Sequence, residues 1–513
     1  IDEGVTFADI CYASIPSYTY VPDNNFEQAL IDLGYDDTLD DYVLTASISG
    51  VTNLHVGSKE ISDLTGIEDF IALTELTCQD NQFTSLDLSS NTALITLHCM
   101  NNQLTALDVT ANTALTGLYI GGGSQSQIST LDLSNNTALI SLNTQDILTL
   151  TSLDVSANTA LTDLGCLNNS LTTLNVNGAS SLTYLNCGDN QLTSLDVSNN
   201  TALTYLRCDG NSLTSLDVNN NTALNELRCT DNQLTTLDVS ANTALTELWC
   251  SYNQLTTLDV GSNTALTDFR CDHNGITSLD VSSNTALTYL ACGTNELTSL
   301  DVSNNTDLTY LGCDDNQLTS LNVTVNTVLT DFRIGWNPLT GLDLSSNTAL
   351  THLEVQDAQL TSLDVSANTA LTSLNCGSNQ LTSLDVSANT AITDLDCRNN
   401  ELTTLDVSSN TALTELQCNN NQLTSLDVSA NTALTHLETQ DNSLTSLDVS
   451  ANTALTELRC FTNQLTSLDV SSNTILNTLQ CWNNQLTYLN MRNGVTDGLT
   501  TFDATDNSLE CIE

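Results

Sequence analysis

The chain has 513 residues, with 8 Lys and Arg against 61 Asp and Glu, and so a formal charge of −53. Such an acidic surface repels DNA, RNA and anionic lipid, which are held through clusters of Lys and Arg, and it favours cationic partners, divalent metals included. No run of 18 apolar residues occurs, so no membrane-inserted helix is expected.

Residues 1–20 lack any pattern and are expected to form an irregular arm. The chain begins at Ile1 without Met, as after removal of a signal peptide or with a start inside the gene. Residues 21–50 read as an N-terminal cap with a helix over 23–34. Asp23 or Asn24 suits the N-cap, Phe26, Ala29, Leu30 and Leu33 share one face, and Gly34 ends it. Val51–Gly66 is a divergent first coil of a repeat that runs to residue 513. It has an insertion from about Gly121 to Ser129 and one extra residue around Asp146–Leu150.

The cysteines define that repeat. Cys166, Cys187, Cys208, Cys229, Cys250, Cys271, Cys292 and Cys313 follow one another at 21 residues. Cys78, Cys99, Cys376, Cys397, Cys418, Cys460 and Cys481 share the phase, and Ile120, Thr144, Ile334, Val355 and Thr439 replace Cys in it. A type that alternates with Ile and Val fills an apolar slot, so these thiols are expected to be buried and reduced. A linear column does not converge on one point as a zinc site requires, and parallel in-register side chains are poorly placed for disulfides. Cys11 and Cys511 lie at opposite ends of the sequence and are not expected to pair.

A typical unit, from residue 224, reads LNELRCTDNQLTTLDVSANTA. Its halves, L-x-x-L-x-C-x-x-N and L-T-x-L-D-V-S-x-N, each alternate apolar and polar residues and then reach Asn. Alternation over four or five residues predicts a half-buried strand in each half, and Asn suits the turn after it. Stacking coil on coil turns Asn81, Asn102, Asn190, Asn211, Asn232, Asn253 and Asn274 into a ladder able to satisfy buried turn backbone. No coil can bury its Leu face alone, so stability must come from stacking.

L-x-x-L-x-[C/I/V]-x-x-N resembles the leucine-rich-repeat signature, with Cys in place of the third Leu. The 21–22 residue length is similar to that of bacterial internalin-type repeats. The runs VPDNNFEQAL (21–30) and ISDLTGIEDF (61–70), with the unit LTSLDVSANTALT, resemble secreted leucine-rich-repeat proteins of Bacteroidetes. The resemblance implies a β-rich, α/β-type, right-handed solenoid, a curved horseshoe of about 22 coils with an N-terminal helical cap. At about 4.8 Å per strand its arc runs to roughly 100 Å. It also implies a secreted or cell-surface location and, in the full gene, further domains beyond the point matching Glu513.

Two columns carry the remaining information. The D-V-S half, expected on the convex side, repeats one Asp from Asp87 to Asp469, including Asp238, Asp259, Asp280 and Asp301. Neighbouring carboxylates at about 5 Å repel by roughly 1 kcal/mol in water. Turn N–H groups and hydroxyls can offset this, and so can weakly bound calcium bridging those four residues. No cofactor is required by either account. The strand half, expected to be concave, collects the scarce residue types: Tyr184, Tyr205, Arg207, Arg228, Trp249, Tyr252, Arg270, His273, Tyr289, Tyr310, Arg333 and Trp336, flanked by Asp209, Glu226, Glu247, Asp268, Asp272, Asp314, Asp315 and Asp331. Trp, Tyr and Arg are enriched at binding hot spots. Arg beside these acids can also simply neutralise the face.

The functional expectation is a secreted or cell-surface recognition and adhesion protein binding a protein or glycan on the concave face. The alternative is a self-assembling structural surface component, a filament or stalk, calcium-stabilised in one version. Monomer and self-assembly both stay open. No zinc-protease, nucleophile-elbow or phosphate-loop motif occurs, and no enzyme is expected.

Overall fold

A computed structural model describes residues 16–122, 126–494 and 498–512. The chain forms two compact units, Ile1–Leu234 and Thr235–Glu513. Each is a parallel β-solenoid with very little helix. Among the described residues the first unit stacks nine three-residue strands in register, from Asn53–His55 to Glu226–Arg228. The second stacks thirteen, from Glu247–Trp249 to Thr501–Asp503.

The strands follow from the alternation in the sequence. In Asp268–Arg270 only the central Phe269 is buried, and the flanking residues are half-exposed. Pairing sets Phe269 against Leu290 and Arg270 against Ala291, so each position of the 21-residue unit becomes a column along the stack. Leu248, Phe269, Leu290 and Leu311 form one buried column and Cys250, Cys271, Cys292 and Cys313 the next, all fully buried. The fifteen described cysteine side chains are buried thiols outside any disulfide, as their alternation with Ile and Val predicts.

The asparagine ladder is present. Asn295 Nδ2 donates to the carbonyls of Cys271 (3.0 Å) and Cys292 (3.1 Å), and its Oδ1 accepts from Ile276 N (3.0 Å). One amide thereby ties two coils and satisfies turn groups that water does not reach. A second asparagine column serves the other turn. Asn284 Nδ2 donates to Val260 O (3.0 Å) and Asn263 O (2.9 Å).

The second half of the unit corrects the expectation of two strands per coil. Among the described residues only Ser152–Asp154 with Thr173–Asn175, and Ser467–Asp469 with Tyr488–Asn490 and Cys511–Ile512, pair as strands there. In the paired and the unpaired coils alike the Asp side chain captures the N–H two residues on, as Asp154 Oδ1 does with Ser156 N (2.8 Å) and Asp280 Oδ1 with Ser282 N (2.9 Å), which turns the chain there.

At the N-terminal end the helix Asn24–Asp32 starts at Asp23, and Gly34 takes a left-handed φ of 80° just past its end. Asp23 Oδ1 accepts from Asn25 N and Phe26 N, while Oδ2 accepts from Ser62 N (2.8 Å) and Ser62 Oγ (2.7 Å), so one carboxylate caps the helix and pins it to the first coil. Residues 18–20, expected within an irregular arm, are instead a strand. Tyr18–Tyr20 pairs antiparallel with Tyr42–Leu44. Buried Glu27 orders that segment by accepting from Asp40 N and Tyr42 N. Residues 1–15, Cys11 among them, lie outside the described residues. No described helix is long and apolar enough to cross a membrane.

Candidate functional site

The exposed columns of the strand face hold the scarce residues, and they fall into both units. In the first unit Tyr184 and Tyr205 stack with centroids 4.5 Å apart, and the Arg228 guanidinium lies 5.8 Å from the Tyr205 ring centre. Arg207 forks onto Asp209, Nε to Oδ1 at 2.7 Å and Nη2 to Oδ2 at 2.9 Å.

The second unit gathers a longer array. Arg270 sits between two rings, 4.0 Å from the Trp249 centroid and 4.4 Å from that of Tyr289. Tyr289 stacks on Tyr310 at 4.0 Å and 3°, and Arg333 lies 5.5 Å from the Tyr310 ring centre. Five side chains from five successive coils thus form one stack. Each arginine is also forked onto an acid of its own strand. Arg270 donates to Asp268 at 2.9 and 2.8 Å, Arg333 to Asp331 at 3.0 and 3.1 Å. Hydrogen bonding to these carboxylates raises both guanidinium pKa values against the opposing effect of burial. These arginines are held rigid and largely neutralised, so they are parts of a preorganised platform rather than loose anion hooks.

Small residues make the stack possible. Tyr289 and Tyr310 occupy the acid column (Glu247, Asp268, Asp331), and two residues on, where Arg270 and Arg333 stand in flanking coils, are Ala291 and Gly312. An added Cβ at Gly312 would come within 2.9 Å of the Tyr310 hydroxyl, so the ring leans across the vacated place. Beside it lies a shallow depression of about 250 Å³ lined by Arg270, Asp272, His273, Tyr289, Ala291, Gly293, Thr294, Tyr310, Gly312 and Asp314. Its small floor was not among the residues singled out from the sequence. Aligning the columns would have shown it, since Ala291 and Gly312 interrupt a position otherwise rich in Arg.

Tyr252, His273 and Trp336 lie past their strands, in the turn column, with φ of 53°, 53° and 50°. Most other coils place Asn, Asp or Gly there, as at Asn101, Asp189, Gly210, Asp315 and Asn399, types that tolerate the left-handed region, while Thr294, Ser378 and Thr462 are small exceptions. Tyr252 stacks on His273 at 4.0 Å, yet it and Trp336 stay 52% and 49% exposed. Burial therefore does not account for two large aromatics in a costly backbone conformation.

On the other side of the unit Asp238, Asp259, Asp280 and Asp301 each accept from the N–H two residues on, at 2.9 Å. Hydrogen bonds from the following Ser hold Asp238, Asp280 and Asp301 below the ordinary carboxylate range. Among the described residues no group of three or more His, Cys, Asp or Glu has metal-holding geometry.

The sequence matches the family model of the LVIVD repeat over residues 277–313. It is 41% identical over 73 residues to internalin J of Listeria monocytogenes, a match spanning 14% of this chain and only 8% of that protein's length. Among solved structures, the functional domain of InlJ from Listeria monocytogenes, which includes a cysteine ladder, is 35% identical, with 82% of this chain and 79% of that one covered and a TM-score of 0.49. YopM from Yersinia enterocolitica is 21% identical, with 90% and 88% covered and a TM-score of 0.59. The plant peptide hormone receptor RGFR1, in complex with RGF2, is 16% identical, with 91% and 90% covered and a TM-score of 0.59. The last two share this chain's fold.

Proposed function

From the likeness of its repeats to internalin J we propose that this chain is an internalin-like leucine-rich-repeat protein, a secreted or cell-surface recognition protein that binds a protein ligand on its strand face. The observation that carries this reading is the stack from Trp249 to Arg333. Its Trp, Tyr and Arg are of the hot-spot types and are already locked in place, so binding costs little side-chain entropy. The complex of the peptide hormone receptor RGFR1 with RGF2 has the same fold.

A protein ligand is favoured over a glycan by the way the rings are used. A sugar ring needs a free aromatic face to lie on. Tyr289 has Arg270 on one face and Tyr310 on the other, and Tyr310 lies between Tyr289 and Arg333. These rings offer their edges and hydroxyls, which suit the hydrogen bonds and side chains of a polypeptide.

The test exposes the purified chain to a panel of surface proteins and to a glycan array, beside the double variant W249A/R270A. The expected result is a protein ligand that the double variant loses at least tenfold. Glycan binding lost in the same variant would replace the ligand class. Polymerisation of the chain with no ligand bound would favour a structural surface component instead.

A further inference from the structure

The depression on the second unit has one feature that the stack beside it does not explain. Asp272, Gly293 and Asp314 hold the same position in three successive coils, one residue past Cys271, Cys292 and Cys313. The backbones of the two acids therefore stand about 10 Å apart along the stack with a residue lacking a side chain between them. Asp314 leans into that space, for its Oδ1 lies 2.8 Å from where a Cβ on Gly293 would stand. Gly293 has no left-handed backbone to require glycine. Its place is a notch, walled by two carboxylates and by Tyr310.

The charges around the notch are unequally matched. Asp268 and Asp331 are engaged by Arg270 and Arg333. Among the described residues no cation lies within ion-pair distance of Asp314, and Asp272 has only the His273 imidazole, 4.0 Å away, besides the hydroxyl of Ser251. Burial pushes the Asp314 carboxyl above the ordinary range, outweighing the field of Arg333, which is committed to Asp331. The arginines cannot turn toward it while they are forked and stacked.

We propose that the notch over Gly293 receives the cationic head of one Lys or Arg side chain of the protein ligand, between the carboxylates of Asp272 and Asp314 and against the edge of Tyr310. This rests on the strand-face reading above and adds the chemistry of its central contact. The net charge of −53 draws basic partners toward the whole chain; the notch selects where one basic side chain seats.

The experiment pans a displayed library of random 12-residue peptides on the immobilised full chain and remeasures the selected peptides as synthetic ligands. The expected peptides share a Lys or Arg whose replacement by Gln weakens binding at least tenfold. The isosteric double variant D272N/D314N should lose the same factor, and Gly293→Leu, which fills the notch without changing any charge, should lose it too. A control of equal charge change, D385N/D406N in the opposite Asp column, should lose less than twofold. Selected peptides without a basic residue, or undiminished binding to D272N/D314N, would overturn the proposal. Peptides that ignore D272N/D314N but are lost with Trp336→Ala would sink the notch and leave the strand-face reading standing. Peptides indifferent to both variants would sink the reading itself.

Discussion

Raising the pH tests the core of the fold. Burial pushes the thiols of Cys99, Cys187 and Cys229 from 9.0 up to about 12, and those of Cys78, Cys166 and Cys208 rise likewise. The folded state therefore holds these protons more tightly than the unfolded one. The linked stability is complete below pH 9, falls as the unfolded thiols ionise, and is gone once the pH passes about 12. At pH 10 each buried thiol costs on the order of 1 kcal/mol relative to neutral pH, so the six together remove several kcal/mol from the first unit. That is comparable with the whole stability of an ordinary domain, about 5–15 kcal/mol. Circular dichroism should show cooperative unfolding between about pH 9 and pH 11, with thiolate absorbance near 240 nm rising in the same transition. The rise in negative charge acts over the same range, and a triple variant separates the two effects. Replacing Cys187, Cys208 and Cys229, three of the six thiols, with Val, which stands buried in this column at Val355, should shrink the loss between pH 8 and pH 10 by about half. Thiolate absorbance that rises near pH 9 while the solenoid stays folded would refute the reasoning.

Other perturbations test the parts separately. Asn295→Ala removes donors to Cys271 and Cys292 and the acceptor of Ile276; urea unfolding should show a loss of about 3 kcal/mol, because buried backbone groups are left unmet. Trp336→Asn puts a tolerant residue at a φ of 50° and should raise stability by about 1 kcal/mol while weakening the ligand of the strand face. A loss of stability would mean that Trp336 is structural. The quadruple variant D238N/D259N/D280N/D301N keeps every turn acceptor and removes four charges. Its melting temperature should fall below that of the parent at pH 7, because the fold favours the ionised forms of Asp238, Asp280 and Asp301. Millimolar calcium that raises the parent's melting temperature and leaves the variant's unchanged would instead show the Asp column bridged by metal.

The stacking of this chain is legible in its sequence because a 21-residue period makes every local choice repeat. Leu and Cys at fixed phase dictate a buried column, and Asn after each half dictates a satisfied turn, whatever the neighbouring coil contains. The polar residues flanking Leu290 and Leu311 were equally bound to face outward. How they meet was not so determined. The period says that Trp249 and Arg270 lie in one column and Tyr289 and Tyr310 in the next. Only the packed structure shows the tyrosines leaning across Ala291 and Gly312 into the arginine column, which closes the stack. Likewise the alternation in L-D-V-S promised a second strand in every coil, and among the described residues the packed backbones pair there in only a few. Periodicity governs contacts between like positions, whose geometry is the same in every coil. Contacts between unlike positions depend on side-chain length and on the space a missing Cβ leaves, and these are settled only when the coils pack in three dimensions.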